Sequence, residues 1–298
     1  MSCAVRVSAY AKINLSLRVL GVRPDGYHEL RTIFQSIALH DTLTARIRRG
    51  PFALHCDDPA CPADETNLVW RAAERVWAAS GRRGTMRGVE VRLAKRIPLQ
   101  AGLGGGSSDA AAALRVFGSL WRVNQPSLRD IAATLGADVP YFLEGGTVLG
   151  LDRGDLLYPL LDHPAAWVTL VVPPFGVSTA DAYRWWDEVR GSDVGRALSG
   201  PAFENDLQRP VAAHHPEIAR IVSALQKAGA FHAAMSGSGS AVFGLFGRRP
   251  AAERATRVLQ KKGVRALLTR TVNRAAYQRL AGWEAARPRN WLNARTLG

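Results

Sequence analysis

The chain has 298 residues, of which 47% are hydrophobic and 21% charged, and its formal net charge is +14. This length suits two domains, and the composition excludes a disordered chain. No apolar run approaches the roughly 20 residues of a membrane helix, and the N-terminus lacks the layout of a secretory signal. We therefore expect a cytoplasmic protein that does not bind membranes.

The positive charge and the cysteines exclude few classes of function. Basic residues are spread along the chain, with one concentration at residues 270–298, where six Arg and one Glu give a net charge of 6 − 1 = +5. A basic surface attracts nucleic acid, acidic membranes and phosphorylated small molecules alike. Cys3, Cys56 and Cys61 form neither a disulfide framework nor a zinc pattern.

The first elements are predicted to be strands. Residues 5–19 and 30–39 are strand candidates, separated by the turn Arg23-Pro24-Asp25-Gly26, in which Pro presets φ and Gly accepts positive φ. Residues 68–79 show apolar positions at helical spacing behind a polar capping segment. Residues 88–96 alternate in polarity and are predicted to form a strand.

The most informative stretch is the glycine-rich segment at residues 102–109 (GLGGGSSD), between that strand and an Ala-rich helix at 110–120. Consecutive glycines let backbone N–H groups converge on an anion, and the helix N-terminus attracts negative charge. The alternatives are a flexible loop, or a helix cap by Ser108 or Asp109. The segment lacks the Gly-Lys-Ser/Thr of a Walker A loop, and Ser107 stands where the dinucleotide fingerprint needs Gly.

The rest of the chain mixes helices and strands. This order predicts the α+β class, with a small antiparallel sheet backed by helices in the second half. Strands are predicted at 167–172 and 266–271, a second Gly/Ser loop at 236–240, and helices at 127–135, 179–189, 216–228 and 251–262.

Two single residues complete the pattern. Lys12 lies in an apolar strand and Asp138 in a short loop. Taken alone, Lys12 could be an outward-facing residue of the strand, and Asp138 could cap a helix. The Gly/Ser loop at 236–240 could likewise be a tight hairpin. Together they fit phosphoryl transfer, which needs loops that hold phosphates, a cation near the developing charge and a base for the attacking hydroxyl.

Four motifs resemble the GHMP kinases. Residues 98–108 (PLQAGLGGGSS) resemble their ATP-binding signature. Residues 11–15 (AKINL), 23–30 (RPDGYHEL) and 136–140 (GADVP) resemble the member of the non-mevalonate isoprenoid pathway whose substrate is a cytidine-diphosphate sugar alcohol. The resemblance covers residues 5 to 272. It implies an ATP-binding domain at 1–152 like ribosomal protein S5 domain 2, a ferredoxin-like domain at 153–272, and an unassigned basic tail at 273–298.

The resemblance also implies catalytic and substrate-binding residues. Asp138 is the base for the substrate hydroxyl, and Lys12 keeps its carboxylate ionised and oriented. Asn14 places the sugar alcohol. Tyr27 packs on the cytosine and His28 bonds to its polar edge. The second aromatic wall is Tyr183, with Phe175 as the alternative.

The resemblance implies ATP and Mg²⁺ as well. The metal ligands stay open, with Ser108 as the protein candidate, and Asp109, where many relatives carry Asn, either caps the helix or approaches the metal. The implied ATP contacts are Asn67, Pro98, Leu99, Gln100, Ala101, Gly102, Leu103, Gly104, Gly105, Gly106, Ser107 and Ser108.

Two alternative functions remain at this point. A homoserine- or mevalonate-type GHMP kinase would have no need of the base-reading pair Tyr27 and His28. A basic nucleic-acid-binding protein would place aromatics among its basic residues, which happens only weakly in the tail. We therefore expect a small-molecule partner, no nucleic acid, and a monomer or weak homodimer.

Overall fold

The computed structural model describes residues 4–190, 204–261 and 263–281, which form two β-sheets and their helices. The predicted α+β class is confirmed. The strands are β1 (Ala4–Val22), β2 (His28–Pro51), β3 (Ala53–Cys56), β4 (Arg87–Ala94), β5 (Thr147–Asp152), β6 (Leu156–Pro159), β7 (Trp167–Val172), β8 (His232–Met235), β9 (Val242–Phe246) and β10 (Arg265–Arg270). The helices are α1 (Leu68–Ala79), α2 (Gly105–Trp121), α3 (Gln125–Leu135), α4 (Tyr141–Glu144), α5 (Thr179–Arg190), α6 (Gln208–His214), α7 (Glu217–Lys227), α8 (Arg249–Lys261) and α9 (Arg274–Leu280).

The first sheet is built on the long antiparallel pair of β1 and β2. Its order is β3-β4-β2-β5-β6, with β1 also paired to β2. Helices α1, α2 and α3 pack together over it. Four consecutive alanines, Ala110, Ala111, Ala112 and Ala113, are buried in α2, and their small side chains let this helix approach its neighbours closely. The glycine-rich segment is thereby fixed at the N-terminus of a central helix.

The second sheet has the order β10-β7-β9-β8 with antiparallel neighbours. With α5 to α7 after β7 and α8 between β9 and β10, this is the split βαβ arrangement of ferredoxin-like domains. The two sheets share a buried apolar seam to which Ile13 and Ile37 contribute from the first sheet, and Val168 and Phe243 from the second. Isolated bridges also join the two halves of the chain, Leu17 to Asn205 and Ile37 to Thr271.

The first sheet extends beyond the boundary at residue 152 that the sequence suggests. Strand β6 pairs with β5, because Asp152 and Gly154 take positive φ and turn the chain back into a hairpin rather than into a linker. Helix α9 packs against β1 of the first sheet, and its Tyr277 hydroxyl donates to the Phe142 carbonyl in α4 at 2.7 Å. The remainder of the predicted tail, residues 282–298, lies outside the described residues. Among the described helices, none has the length and apolar character to cross a membrane.

Candidate active site

Lys12 lies in the middle of β1 and is 3% exposed. Residues two apart on a strand share a face, so Lys12 and Asn14 point the same way. The Lys12 ammonium donates to Asn14 Oδ1 at 2.7 Å, and Asn14 Nδ2 donates to Thr32 Oγ1 at 2.7 Å. Thr32 in turn donates to the Ser16 carbonyl. This chain of hydrogen bonds fixes the direction in which Lys12 presents its charge.

Asp138 faces that charge from the turn between α3 and α4. Its Oδ2 lies 3.5 Å from Lys12 Nζ, and its side chain is 33% exposed. The lysine is therefore enclosed by protein, while the carboxylate keeps one side open. A hydroxyl that approached from the open side could give its proton to a carboxylate already oriented by the ammonium.

The glycine-rich segment contacts the second Gly/Ser loop. Gly102 and Gly104 have φ of +71° and +70°, in the left-handed region that favours glycine. The Ser236 hydroxyl donates to the Gly102 carbonyl at 2.9 Å, and the Ala241 amide donates to the Ala101 carbonyl at 3.2 Å. A Cβ on Gly102 would lie only 2.0 Å from the Ser236 carbonyl oxygen. The two loops therefore require glycine where they meet.

The second loop also approaches Lys12 and Asn14. A Cβ on Gly237 would lie 3.3 Å from both Lys12 Nζ and Asn14 Oδ1. Asn205 holds this loop, because its Nδ2 donates to the carbonyls of Met235 and Gly237 at 2.8 Å. The sequence reading missed Asn205, since an Asn far along the chain from both loops carries no local signal.

The hydroxyl of Ser108 is directed away from the loop surface. Ser108 is 1% exposed and its hydroxyl donates to the Tyr10 carbonyl at 2.7 Å, which ties α2 to β1. Ser107, the other serine of the segment, is half-buried. Among the described residues, no group of three or more His, Cys, Asp or Glu could hold a metal ion. Ser108, the protein candidate for a metal ligand, thus has its hydroxyl engaged by the Tyr10 carbonyl.

Asp109 neither caps α2 nor reaches the loop surface. The N-cap of α2 is Gly104, which has no capping side chain. Asp109 is 2% exposed and accepts a hydrogen bond from Lys95 Nζ at 2.6 Å, and the same ammonium donates to Asp41. This buried trio lies directly behind the glycine-rich segment, because a Cβ on Gly105 would be 3.5 Å from Lys95 Nζ.

Asp109 should make the stability of the protein depend on pH. Burial raises its pKa to about 8, although the ammonium of Lys95 opposes the shift. The folded protein thus retains a proton that the unfolded chain releases at lower pH. The stability that this proton contributes is complete below the unfolded pKa of 3.8 and is lost as pH rises through the folded value.

We expect Asp109→Asn to unfold at a higher temperature than wild type at about pH 8.5, by about 2–4 °C for each kcal/mol recovered, and the difference to shrink as pH falls and to vanish below the unfolded pKa of 3.8. Thermal unfolding across this pH range measures it. Asp41→Asn is the control and should be destabilised throughout, because Asp41 also accepts the Ile97 amide at 2.8 Å. Parallel curves for wild type and Asp109→Asn would contradict the buried proton.

His28 and Tyr183 meet between the two halves of the chain. Their rings stack with centroids 4.5 Å apart and planes at 24°. Tyr27 is 59% exposed, and the Arg153 guanidinium lies 5.5 Å from the centre of its ring. Phe175, the alternative to Tyr183, stacks on a different histidine, His215. The structure thus brings Tyr183 to His28 and leaves Tyr27 beside them at the surface.

Some of the predicted ATP contacts lie outside the glycine-rich segment. Asn67 caps α1, accepting the Val69 amide at 2.8 Å, and is 8% exposed. Pro98 and Leu99 line a cavity of about 1010 Å³ between residues 95–99, which follow β4, and the second half of the chain. Other residues that line it include Arg96, Phe175, Arg220, Ile221, Ser240 and Arg265. Neither Lys12 nor Asp138 lines this cavity.

Comparison with known proteins gives consistent matches along the chain. A family model described as the GHMP kinases N terminal domain matches residues 67–146, and one described as GHMP kinases C terminal matches residues 190–265. A protein of Pelotomaculum thermopropionicum is 42% identical over 281 residues, which are 89% of this chain and 97% of that protein. One of Moorella thermoacetica is 42% identical over 283 residues, covering 89% and 98%. Both are named 4-diphosphocytidyl-2-C-methyl-D-erythritol kinase.

Solved structures give the same result. A crystal structure of 4-(cytidine 5'-diphospho)-2C-methyl-D-erythritol kinase matches with a TM-score of 0.76 and 36% identity, covering 90% of this chain and 99% of that one. Homoserine kinase from Cytophaga hutchinsonii matches with a TM-score of 0.64 and 20% identity, covering 91% and 95%. The second likeness concerns the fold alone.

Proposed function

The chain belongs to the 4-diphosphocytidyl-2-C-methyl-D-erythritol kinase family of the GHMP kinases, and from that premise we propose that it transfers the γ-phosphoryl group of ATP to the 2-hydroxyl of 4-diphosphocytidyl-2-C-methyl-D-erythritol. The two-domain GHMP kinase fold that the motifs predicted is confirmed. The observation that carries the proposed chemistry is the Lys12–Asp138 pair at 3.5 Å, beside the two glycine-rich loops.

In this proposal Asp138 is the general base. The substrate hydroxyl gives its proton to the Asp138 carboxylate as its oxygen attacks the γ-phosphorus, and the bond from that phosphorus to the bridging oxygen of ADP breaks. Lys12 holds the carboxylate in position from its buried side. Asn14, which already orients Lys12, would place the sugar alcohol.

The glycine-rich segment would hold the phosphates. Its positive-φ glycines and the N-terminus of α2 offer backbone N–H groups and the positive end of the helix dipole. When bound to ATP, Mg²⁺ would neutralise part of the negative charge of the phosphates. This proposal includes three further predictions: ATP binds to the first half of the chain, the protein is cytoplasmic, and it is a monomer or weak homodimer. Size-exclusion chromatography with light scattering measures the oligomeric state.

The cytosine end would be bound away from the reacting hydroxyl, by Tyr27, His28 and Tyr183. The meeting of His28 and Tyr183 from different halves of the chain supports this placement. Binding energy from such a remote group can orient the hydroxyl and so contribute to the rate.

The decisive experiment supplies ATP–Mg²⁺ with each of three acceptors: the cytidine-diphosphate substrate, homoserine and mevalonate. We expect ADP release and a phosphorylated product with the first acceptor, and a kcat/KM for the other two that is lower by at least about 10³-fold, because they leave the base-binding groups unmatched. Mass spectrometry of the product identifies the phosphorylated compound. Efficient turnover of homoserine or mevalonate, with none of the cytidine substrate, would refute the proposal.

A further inference from the structure

A carboxylate that the sequence reading did not single out contacts His28. Asp187 lies one turn after Tyr183 on α5, and its Oδ1 is 3.0 Å from His28 Nε2. The ring of Trp186 meets the His28 ring edge-on, with centroids 5.6 Å apart at 87°. The imidazole is thus held on one face by the stacked Tyr183 ring, on an edge by Trp186, and at Nε2 by Asp187.

This contact determines what the other ring nitrogen can do. An ionised carboxylate only accepts hydrogen bonds, so Nε2 must carry the proton that Asp187 accepts. In a neutral imidazole Nδ1 is then an acceptor. The His28 side chain is only 12% exposed and that of Asp187 is 45% exposed, so the carboxylate can stay hydrated while the ring is held.

An acceptor at this position distinguishes the two common pyrimidines. Cytosine carries an amino group, a donor, at the carbon where uracil carries a carbonyl, an acceptor. Nδ1 as an acceptor forms a hydrogen bond with the cytosine amino group and is repelled by the uracil carbonyl. Uracil would leave both acceptors without a donor, and unmatched buried polar groups are what makes such discrimination strong.

We propose that Asp187 is a specificity-determining residue, which makes the enzyme select cytosine over uracil by holding His28 in the tautomer whose Nδ1 accepts a hydrogen bond. The proposal rests on the proposed function, because it concerns the base of that substrate. Asp187 acts through His28 and is a positioning residue.

The test compares kcat/KM for the cytidine substrate and for its uridine counterpart in wild type, Asp187→Asn and Glu188→Gln. Wild type should prefer cytidine about tenfold or more. An Asn amide can donate to Nε2, which moves the ring proton to Nδ1 and turns it into a donor that suits uracil. Asp187→Asn should therefore lose most of the preference, while its KM for ATP stays within about twofold of wild type.

Glu188→Gln is the matched control. Glu188 is the next carboxylate on the same helix, but it pairs with Arg184 at 2.9 Å rather than with His28, so the variant should keep the wild-type ratio. The ¹⁵N NMR shifts of the His28 ring give a second readout, with the proton on Nε2 in wild type and on Nδ1 in Asp187→Asn.

Three outcomes would overturn the inference: no preference in wild type, a wild-type ratio in Asp187→Asn, or equal losses for both bases, which would leave Asp187 as a structural residue. In each of these cases phosphorylation of the cytidine substrate by wild type would still support the proposed function. Failure of the proposed function would appear earlier, as the absence of that phosphorylation.

Discussion

Replacing Asp138 by Asn is expected to lower kcat by about 10²–10⁴-fold, the usual contribution of a general base, and to leave the affinity for ATP nearly unchanged. The amide keeps the shape of the carboxylate but cannot take the hydroxyl proton. It also leaves the ammonium of Lys12, which is only 3% exposed, without its ionic partner. Steady-state kinetics with both substrates varied measures the effect.

Lys12→Ala and the double variant test whether the pair acts as a unit. If Lys12 works by orienting Asp138, the double variant should be little slower than Asp138→Asn, because losses within one catalytic unit do not add. Asp130→Asn, an exposed carboxylate on the preceding helix α3, is the control and should keep the wild-type kcat. An Asp138→Asn variant that kept more than about half of kcat would remove Asp138 from the mechanism.

The second large effect is expected from Gly102→Ala, which should reduce kcat/KM for ATP by at least about 10²-fold. The new methyl carbon would lie 2.0 Å from the Ser236 carbonyl oxygen, and 3.1 Å from the Gly239 backbone nitrogen, so the two loops must separate. Backbone atoms cannot rotate aside as a side chain can. Calorimetric titration with a non-hydrolysable ATP analogue, together with kinetics, measures the loss.

Gly229→Ala is the control for Gly102→Ala, because it separates the cost of a strained backbone from the cost of atomic overlap between the loops. Gly229 also has positive φ, +91°, but nothing lies within 4 Å of the place of its Cβ, so this variant should lose stability by about 1 kcal/mol and keep its activity. If Gly102→Ala fails to fold, Ser236→Ala provides the second test, because it removes the 2.9 Å bond between the loops without any overlap. Unchanged ATP affinity in both loop variants would contradict the role of the loop contact.

Local pattern predicted individual elements well where neighbouring residues determine them. Helix α1 begins and ends where its apolar spacing and the Asn67 cap indicate, and β7 matches its apolar run. Strand β2 is much longer than the predicted 30–39, because it continues through Asp41, a polar residue that a sequence reading takes as the end of a strand. Asp41 is fully buried and is accommodated by Lys95, a partner 54 residues away.

In the candidate site, too, local motifs identified some residues, and others could be found only from the folded structure. The motifs identified Lys12, Asp138 and both glycine-rich loops, and the structure brings these together. The sequence pattern could not decide whether the Lys12 side chain faced outward. Its buried position depends on its partners Asn14 and Asp138, and Asp138 is distant in the sequence. Asn205 and Asp187 escaped notice, because each acts on a segment more than 25 residues away in the sequence, through contacts that only the folded chain creates.

The apolar seam between the two sheets affects how proteins of this family can evolve. Its side chains come from both halves of the chain, so Ile13 and Ile37 share one close-packed volume with Val168 and Phe243. A substitution that enlarges one of them calls for a smaller residue across the seam. Recombination that joined the first half of one relative to the second half of a distant one would bring together surfaces that had diverged separately. The two halves are thus expected to be inherited and to diversify as one unit, although each has its own sheet.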